Sequence, residues 1–443
     1  MGVEIKFLGG VRQIGGNMLI FITSGIGYIF DFGVNMALLK RKERLGIRKI
    51  REKLREHGLI PDIEMLEEEH HIKIKAIFIS HGHMDHWQGI KGLPPRRRGI
   101  PIYCSPFTCE WVKRQMGKEA HEFNFKKLNL TLDPVGEKRF YDDEKIRVVP
   151  FIVDHSIPDA CSFLIIDKVH NKRIIYTGDF RDHGPLSQQV LEPRQSQFWT
   201  YFKNYLKSSS VDAFICDATN YSDIIKYNTE EDVEYDVRRL INAFGESLIF
   251  VVISTLSDIY RIHTICKVCQ KTHRNIRIDG EYGQVVNILK DSSTYSIASG
   301  IVSPLLNLKV IDSHERQEIE RNPQKFLIIS TPHRIFRLIS GVSRDIIEGS
   351  CCIISTSEHF VEELGISTKD FKDEISSYGV QVYESHASGH VYPDRMMSII
   401  EALQPSTVYP IHTNYPEGVA KFIRGHRVPT EVCIPQLNER YVV

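Results

Sequence analysis

The sequence has no excess of either charge. Lysine and arginine together number 56, as do aspartate and glutamate, in 443 residues. The overall balance therefore points to no polyanion, and any attraction to nucleic acid must come from local patches. No apolar run reaches the roughly 20 residues that a membrane-spanning helix needs. The first ten residues, Met-Gly-Val-Glu-Ile-Lys-Phe-Leu-Gly-Gly, lack the basic and apolar regions of a secretory signal. A cytoplasmic protein with no membrane partner is expected. The nine cysteines (104, 109, 161, 216, 266, 269, 351, 352, 433) are odd in number and irregular in spacing. That pattern fits reduced thiols and gives no disulfide framework. There is no internal repeat, low-complexity tract or long linker.

What is present is enough for a large core. Hydrophobic residues make up 42% and charged residues 25%, as in soluble globular proteins. The first two hundred residues read as strands joined by polar turns: Lys6–Gly9, Asn17–Thr23, Gly27–Gly33, Ile74–Ser80, Ile146–Val153, Ser162–Asp167 and Arg173–Thr177. Pro150 predicts an edge position or a bulge for its strand. Lys40–His57 predicts a solvated helix with one apolar stripe, and Ser196–Ser208 a second, aromatic-rich helix. Ala213–Cys216 is a further buried strand. Beyond about residue 220 the texture alternates between helix and strand. Thr229 heads a helix with Asp232 three residues on and Val233, Val237, Leu240 and Ile241 on one face. Leu248–Ser254, Phe326–Ser330 and Cys351–Ser355 read as buried strands, which makes this an α/β segment. The end reads strand, helix, strand, helix: Val380–Glu384, Pro393–Leu403, Thr407–Ile411, Pro416–Arg424.

The chemistry gathers at strand ends. The run Ile74–Ser80 leads into His81-Gly82-His83-Met84-Asp85-His86. A turn leaving a strand can project His81 and His83 to one side. A helix starting there swings Asp85 and His86 toward a neighbouring point. Imidazole and carboxylate are the donors that zinc or manganese takes. Six residues cannot complete two coordination shells, so further ligands are expected at other strand ends. His155, in Val153-Asp154-His155-Ser156-Ile157-Pro158-Asp159-Ala160, is one candidate. Asp179, in Tyr176-Thr177-Gly178-Asp179-Phe180, is another.

With these segments in order, the chain resembles the metallo-β-lactamase superfamily. More closely it is similar to the β-CASP nucleases, ribonuclease J among them. Gly9-Gly10-Val11-Arg12-Gln13-Ile14-Gly15-Gly16-Asn17-Met18 and Asp31-Phe32-Gly33 extend the likeness. So do Asp217 in Cys-Asp-Ala-Thr-Asn, His390 in His386-Ala387-Ser388-Gly389-His390, and His412 in Tyr-Pro-Ile-His. The resemblance implies an αββα sandwich built from residues 1–219 and 386–443, with an α/β β-CASP insertion over 220–385. It implies one metal on His81, His83 and His155, and another on Asp85, His86 and His412. Asp179 bridges the two, and Asp31 stands behind the cluster as the acid that orients it. The implied activity is two-metal hydrolysis of RNA, or of DNA, as an endonuclease or a 5′-to-3′ exonuclease. A homodimer or an accessory protein subunit is the kind of protein partner it allows.

Phosphodiester hydrolysis also needs a proton for the leaving alkoxide. His390 is the candidate acid, with Asp217 orienting it. His386 and Ser388 are candidate phosphate contacts in a cleft between the two halves. Arg96 and Arg97, in a run of three arginines soon after the metal cluster, are further candidates. Lys40–Arg55 carries nine basic residues against Glu43 and Glu52 and could follow a nucleic-acid backbone, although such a run is usually a solvated face. His263, Cys266, Cys269 and His273 share one predicted helix, where four residues rarely close a tetrahedron, and are discounted as a zinc site.

The chain also departs from ribonuclease J. Thr413-Asn414-Tyr415 follows His412 where the family has Gly-Glu, and Ser330-Thr331-Pro332-His333-Arg334 replaces a segment containing glycine and glutamine. Only 31 residues follow His412, which leaves no room for a separate C-terminal domain. Two other readings compete with the nuclease: a hydrolase of a small thioester, lactone or lactam, and a non-catalytic scaffold. Asp217, His390 and His412 argue against the first, and the full ligand set against the second.

Overall fold

Alternating apolar runs become strands in a computed structural model of the protein. It describes residues 2–35, 38–39, 54–56, 58–128, 130, 140–189, 210–222, 227–280, 282–290, 299–357 and 367–443. The helices predicted over Lys40–His57 and Ser196–Ser208 lie outside the described residues, apart from the turn at 54–56. The chain divides into two compact units. Met1–Asp182, Leu191–Ile225 and His390–Val443 form one; His183–Val190 and Lys226–Gly389 form the other.

The first unit holds two seven-stranded sheets among the described residues. One runs Arg440–Val442, Glu4–Gly9, Met18–Thr23 and Ile26–Phe30, all antiparallel. It continues in parallel through Lys73–Ile79, Ile102–Cys104 and Phe125–Lys127. The other runs Glu431–Val432, Thr407–Ile411, Ala213–Asp217 and Lys172–Tyr176 in parallel. Cys161–Asp167, Ile146–Ile152 and Tyr141–Asp142 then follow antiparallel. Tyr141–Asp142 reaches only Arg147 and Val148. Pro150 therefore lies past that strand's end, where its missing N–H costs no ladder bond.

Successive strand residues face opposite ways, and that alternation builds the layers. Phe30 and Phe78 point inward and meet Phe163 of the facing sheet, with ring centroids 5.5 and 6.0 Å apart. Ile29, Ile77 and Ile79 point outward, onto Ile63 and Leu66 of helix Ile63–His70 and Cys109, Val112 and Met116 of helix Pro106–Met116. On the far side, Leu164, Ile175, Phe214 and Val408 pack against Met396, Met397 and Ile400 of helix Pro393–Leu403. Val419 and Ile423 of helix Pro416–Gly425 join them. Helix, sheet, sheet, helix is the αββα sandwich of the metallo-β-lactamase fold.

The second unit is built on six parallel strands. Their order is Lys309–Val310, Asn275–Ile278, Phe326–Ser330, Ile249–Ile253, Cys351–Ser355 and Gln381–Glu384. Leu248, Phe250, Ile328, Cys352 and Ile354 pack on one face with Ile335, Leu338, Phe371 and Ile375 from helices. Thr229 caps helix Glu230–Ala243 with the reciprocal box its sequence predicts: its hydroxyl accepts from Asp232 N, and the Asp232 carboxylate accepts from Thr229 N. Inside the unit, the buried Arg261 pairs with the buried Glu230 at 2.7 Å. Arg261 also donates to the carbonyls of Ser355 and Ala387. Removing one partner strands the other charge in a dry interior. Glu230→Ala is therefore expected to cost about 3–5 kcal/mol in urea unfolding; a change below about 1 kcal/mol would show that the pair is not the unit's anchor.

Candidate metal centre

Six polar residues follow or end strands that point the same way. Asp31 follows Ile26–Phe30, and His81 comes two residues past Lys73–Ile79. His155 and Asp179 each lie three residues past Ile146–Ile152 and Lys172–Tyr176. Asp217 ends Ala213–Asp217, and His412 follows Thr407–Ile411. One edge of the sandwich thus collects all six. A short helix, Met84–Trp87, starts at His83 and turns Asp85 and His86 inward. Its approach needs small neighbours. A Cβ on Gly33 would lie 1.8 Å from the Asp85 carbonyl oxygen, and Gly15, at φ +80, would place one 2.9 Å from Asp85 Oδ2.

Two donor sets form there. His81 Nε2 and His155 Nε2 lie 3.1 and 3.0 Å from His83 Nδ1. In the other set, Asp85 Oδ2 lies 3.5 Å from His86 Nε2 and 3.3 Å from His412 Nε2. Asp179 Oδ2 is 3.1 Å from His86 Nε2, 3.6 Å from His412 Nε2 and 3.9 Å from His81 Nε2. It therefore stands between the sets. Asp179 Oδ1 is buried with no hydrogen-bond partner among the described residues. A buried carboxylate oxygen left so is costly unless a cation takes it. Donor types and this orphaned oxygen both fit two divalent metal ions. The donor atoms of each set lie within 4.8 Å of one another.

Outer residues fix which ring nitrogen faces in. Asp31, fully buried, accepts from Ser80 N (2.7 Å), Ser80 Oγ (2.8 Å), His86 Nδ1 (2.6 Å) and the Tyr176 hydroxyl. Ser80 Oγ, its hydrogen spent on Asp31, accepts from His81 Nδ1 at 3.0 Å. Thr219 Oγ1 donates to Asp217 Oδ1 and accepts from His412 Nδ1, both at 2.6 Å. His81, His86 and His412 are therefore all left with Nε2 turned to the centre. A buried ion pair ties two ligand loops together: Arg181 Nε donates to Asp154 Oδ1 (3.0 Å) and Arg181 N to Asp154 O (2.7 Å). Asp31→Asn is expected to weaken metal affinity about 10- to 100-fold, read by competition with a chromogenic chelator. Unchanged affinity would remove Asp31 from this role.

The electrostatics suit the assignment. Burial and the neighbouring imidazoles hold His81 far below its ordinary value, and burial takes His83 down to about 4. Both rings are neutral, as ligands must be. Burial opposes the charge of Asp85 and Asp179, but His86 and His412 outweigh it and keep both carboxylates ionised. Burial also opposes the charge of His86, which Asp179, Asp85 and Asp31 overcome. Because Asp31 takes the Nδ1 hydrogen, the proton a cation would displace is the one on Nε2.

His390 and Asp217 stand beside this centre. His390 Nδ1 donates to Asp217 Oδ2 at 2.8 Å and lies 3.9 Å from Asp179 Oδ2. Burial disfavours its charge, yet Asp217, Asp179 and Asp85 push it up to about 9. Asp179, Asp217, His390 and His412 also lie close enough to hold an ion. Asp217, however, already spends one oxygen on His390 and the other on Thr219.

Other predicted residues have different surroundings. Arg96 pairs with Glu64, and Arg97 with Glu67, across to helix Ile63–His70. His386 Nδ1 lies 3.3 Å from Arg261 Nη1, and its carbonyl accepts from Asn228 Nδ2, so the second unit anchors it. His263 Nδ1 meets the Ile301 carbonyl at 2.9 Å. The set of His263, Cys266, Cys269 and His273 does not appear among the metal-holding groups of the described residues. All nine cysteines are unpaired. No role for Ser80, Tyr176, Thr219 or Arg181 is legible in the sequence. Their only signal is position: Ser80 precedes the cluster, Thr219 lies two residues past Asp217, and Arg181 two past Asp179.

Known proteins share this architecture. Residues 61–195 match the β-lactamase superfamily domain. Ribonuclease J of Mycoplasma genitalium is 26% identical over 437 residues, which span 93% of this chain and 68% of that protein. Ribonuclease J of Pyrococcus abyssi is 23% identical, with 98% of this chain and 95% of that protein covered. That of Methanocaldococcus jannaschii is also 23% identical, covering 94% and 92%. A crystal structure of a protein of unknown function from Enterococcus faecalis V583 aligns over 100% of both chains. Its TM-score is 0.69 and its identity 18%, a likeness of fold. No helix among the described residues is long and apolar enough to cross a membrane.

Proposed function

We propose that this chain, which carries a metallo-β-lactamase superfamily domain and is similar to ribonuclease J over 93% of its length, hydrolyses the phosphodiester bonds of RNA with two divalent cations. One observation carries the reading. The Asp179 carboxylate lies between two histidine-rich donor sets, and the hydrogen-bonded pair His390–Asp217 stands alongside. His81, His83 and His155 would hold one cation, and Asp85, His86 and His412 the other, with Asp179 shared. Zinc or manganese there would supply a hydroxide nucleophile and neutralise charge on the phosphate.

The chain's own groups do the rest. Asp217 accepts the Nδ1 hydrogen of His390 and favours the charged ring near neutral pH, and an imidazolium so held can give a proton to the leaving oxygen. Thr219 fixes the second Asp217 oxygen and so sets the plane of that carboxylate. A leaving alkoxide needs such an acid far more than a stabilised leaving group does, which favours a phosphodiester over a small thioester. RNA is favoured over DNA because relatives spanning nearly the whole chain are ribonucleases by name.

The test uses end-labelled RNA and DNA, each with 5′-phosphate and 5′-hydroxyl ends. RNA should be cut, and Asp85→Ala should leave it intact while keeping the fold. Single-nucleotide products would mark an exonuclease and internal fragments an endonuclease. Unchanged cleavage by Asp85→Ala, or turnover of a small ester with none of RNA, would contradict the reading.

A further inference from the structure

Large apolar side chains are seldom left in water without a reason when they gather at one place. Among the described residues of the first unit, the exposed ones are Ile14, Met65, Met84, Val169, Tyr415, Leu437 and Val442. Three of these seven border the same part of the metal centre. Met84, 43% exposed, stands between the ligands His83 and Asp85. Ile14, 45% exposed, precedes Gly15, whose added Cβ would be 3.2 Å from Asp85 Cβ. Tyr415, 45% exposed, comes three residues after His412 and caps helix Pro416–Gly425.

The three segments are tied to one another. His412 N donates to the Gly10 carbonyl at 2.8 Å, and Asn17 N to the Asp85 carbonyl at 3.1 Å. His412 Nε2 lies 3.3 Å from Asp85 Oδ2. The loop Gly9–Asn17, the helix Met84–Trp87 and the turn after His412 therefore meet around Asp85. Arg12 of that loop pairs with Glu417 of helix Pro416–Gly425 at 2.5 Å, which fixes the loop beside Tyr415.

We propose that Ile14, Met84 and Tyr415 form an apolar ledge on the Asp85–His412 side of the centre, which holds a nucleobase of single-stranded RNA next to the phosphate being cut. The proposal rests on the nuclease reading above. Phosphate chemistry at the adjoining centre decides the occupant, because each phosphate of a strand carries a nucleoside, and a base has two apolar faces to place. Aromatic and apolar side chains take such faces without regard to sequence. The ledge binds and does not react; its work is to hold the strand so that one phosphate stays at the metals.

Steady-state kinetics on a short single-stranded RNA test it, with a matched strand carrying one abasic site beside the scissile phosphate. Tyr415→Ala should raise KM on the normal strand about 10-fold, the size of one lost base–aromatic stack, and Met84→Ser should act in the same direction. Tyr415→Phe, which keeps the ring, should restore the wild-type KM. On the abasic strand, wild-type protein should show the raised KM, and Tyr415→Ala should add nothing to it. Metal content by elemental analysis should match wild type in every variant. An unchanged KM for Tyr415→Ala on the normal strand, or an equal further loss on the abasic strand, overturns the ledge while leaving the nuclease in place. RNA left intact by the wild-type protein overturns both.

Discussion

Asp179→Asn should abolish RNA cleavage, with a fall in kcat of at least about 1,000-fold. The side chain keeps its size and loses its charge, and nothing else in the centre can replace it. Asp179 Oδ2 is within 3.9 Å of nitrogens from both donor sets, and Oδ1 is buried with no partner among the described residues. An amide offers one oxygen and no charge to two cations. The loss of several kcal/mol of charge stabilisation at a reacting phosphate corresponds to that factor. Circular dichroism should show a folded protein, since the residue follows a strand whose fully buried neighbours Ile174, Ile175 and Tyr176 are untouched. Metal content should fall below two ions per chain. Full metal content with full activity would remove Asp179 from the bridging role.

His390→Ala should lower kcat by about 100- to 10,000-fold, the range for a lost general acid, with metal content unchanged. The pH profile separates this role from a structural one. His390 is pushed up to about 9, and the working form is the protonated one. Activity that depends on it is therefore present at neutral pH and lost as pH rises through that value. Cations held by the adjacent donors act in the opposite direction, so the alkaline fall lies at or below about pH 9. Asp217→Asn removes the carboxylate that most favours the charged ring, which leaves burial opposed by Asp179 and Asp85. The fall should move to lower pH, leaving kcat at pH 8 more impaired than at pH 6. An unshifted profile would show that His390 is not the proton donor.

The sequence carried some of this more plainly than the rest. The cluster His81–His86 was legible because four donors crowd into one turn after an apolar strand. His155 and Asp179 were legible by the same rule at later strand ends. The grouping of ligands into two sets came from family resemblance, since spacing along a chain says nothing of which strand lies beside which. The outer residues were hidden for a related reason. Ser80, Tyr176 and Thr219 are ordinary side chains until the sheets set them against Asp31, Asp217 and His412. Arg96 and Arg97 show the converse. Their charge and place in sequence suggested phosphate, but Glu64 and Glu67 sit across from them on a helix that begins at residue 63. Strands such as Ile102–Cys104 and Phe125–Lys127 are too short to show a period; the first pairs with the longer Lys73–Ile79, and the second with the first.

The central claim is that two cations, shared through Asp179, cut RNA. Its most direct test is to strip the protein with a chelator, titrate zinc or manganese back, and follow cleavage of an end-labelled RNA at each step. Cleavage should be absent at the start and level off at two equivalents per chain. Full cleavage by the stripped protein, or none at any metal concentration, would contradict the claim.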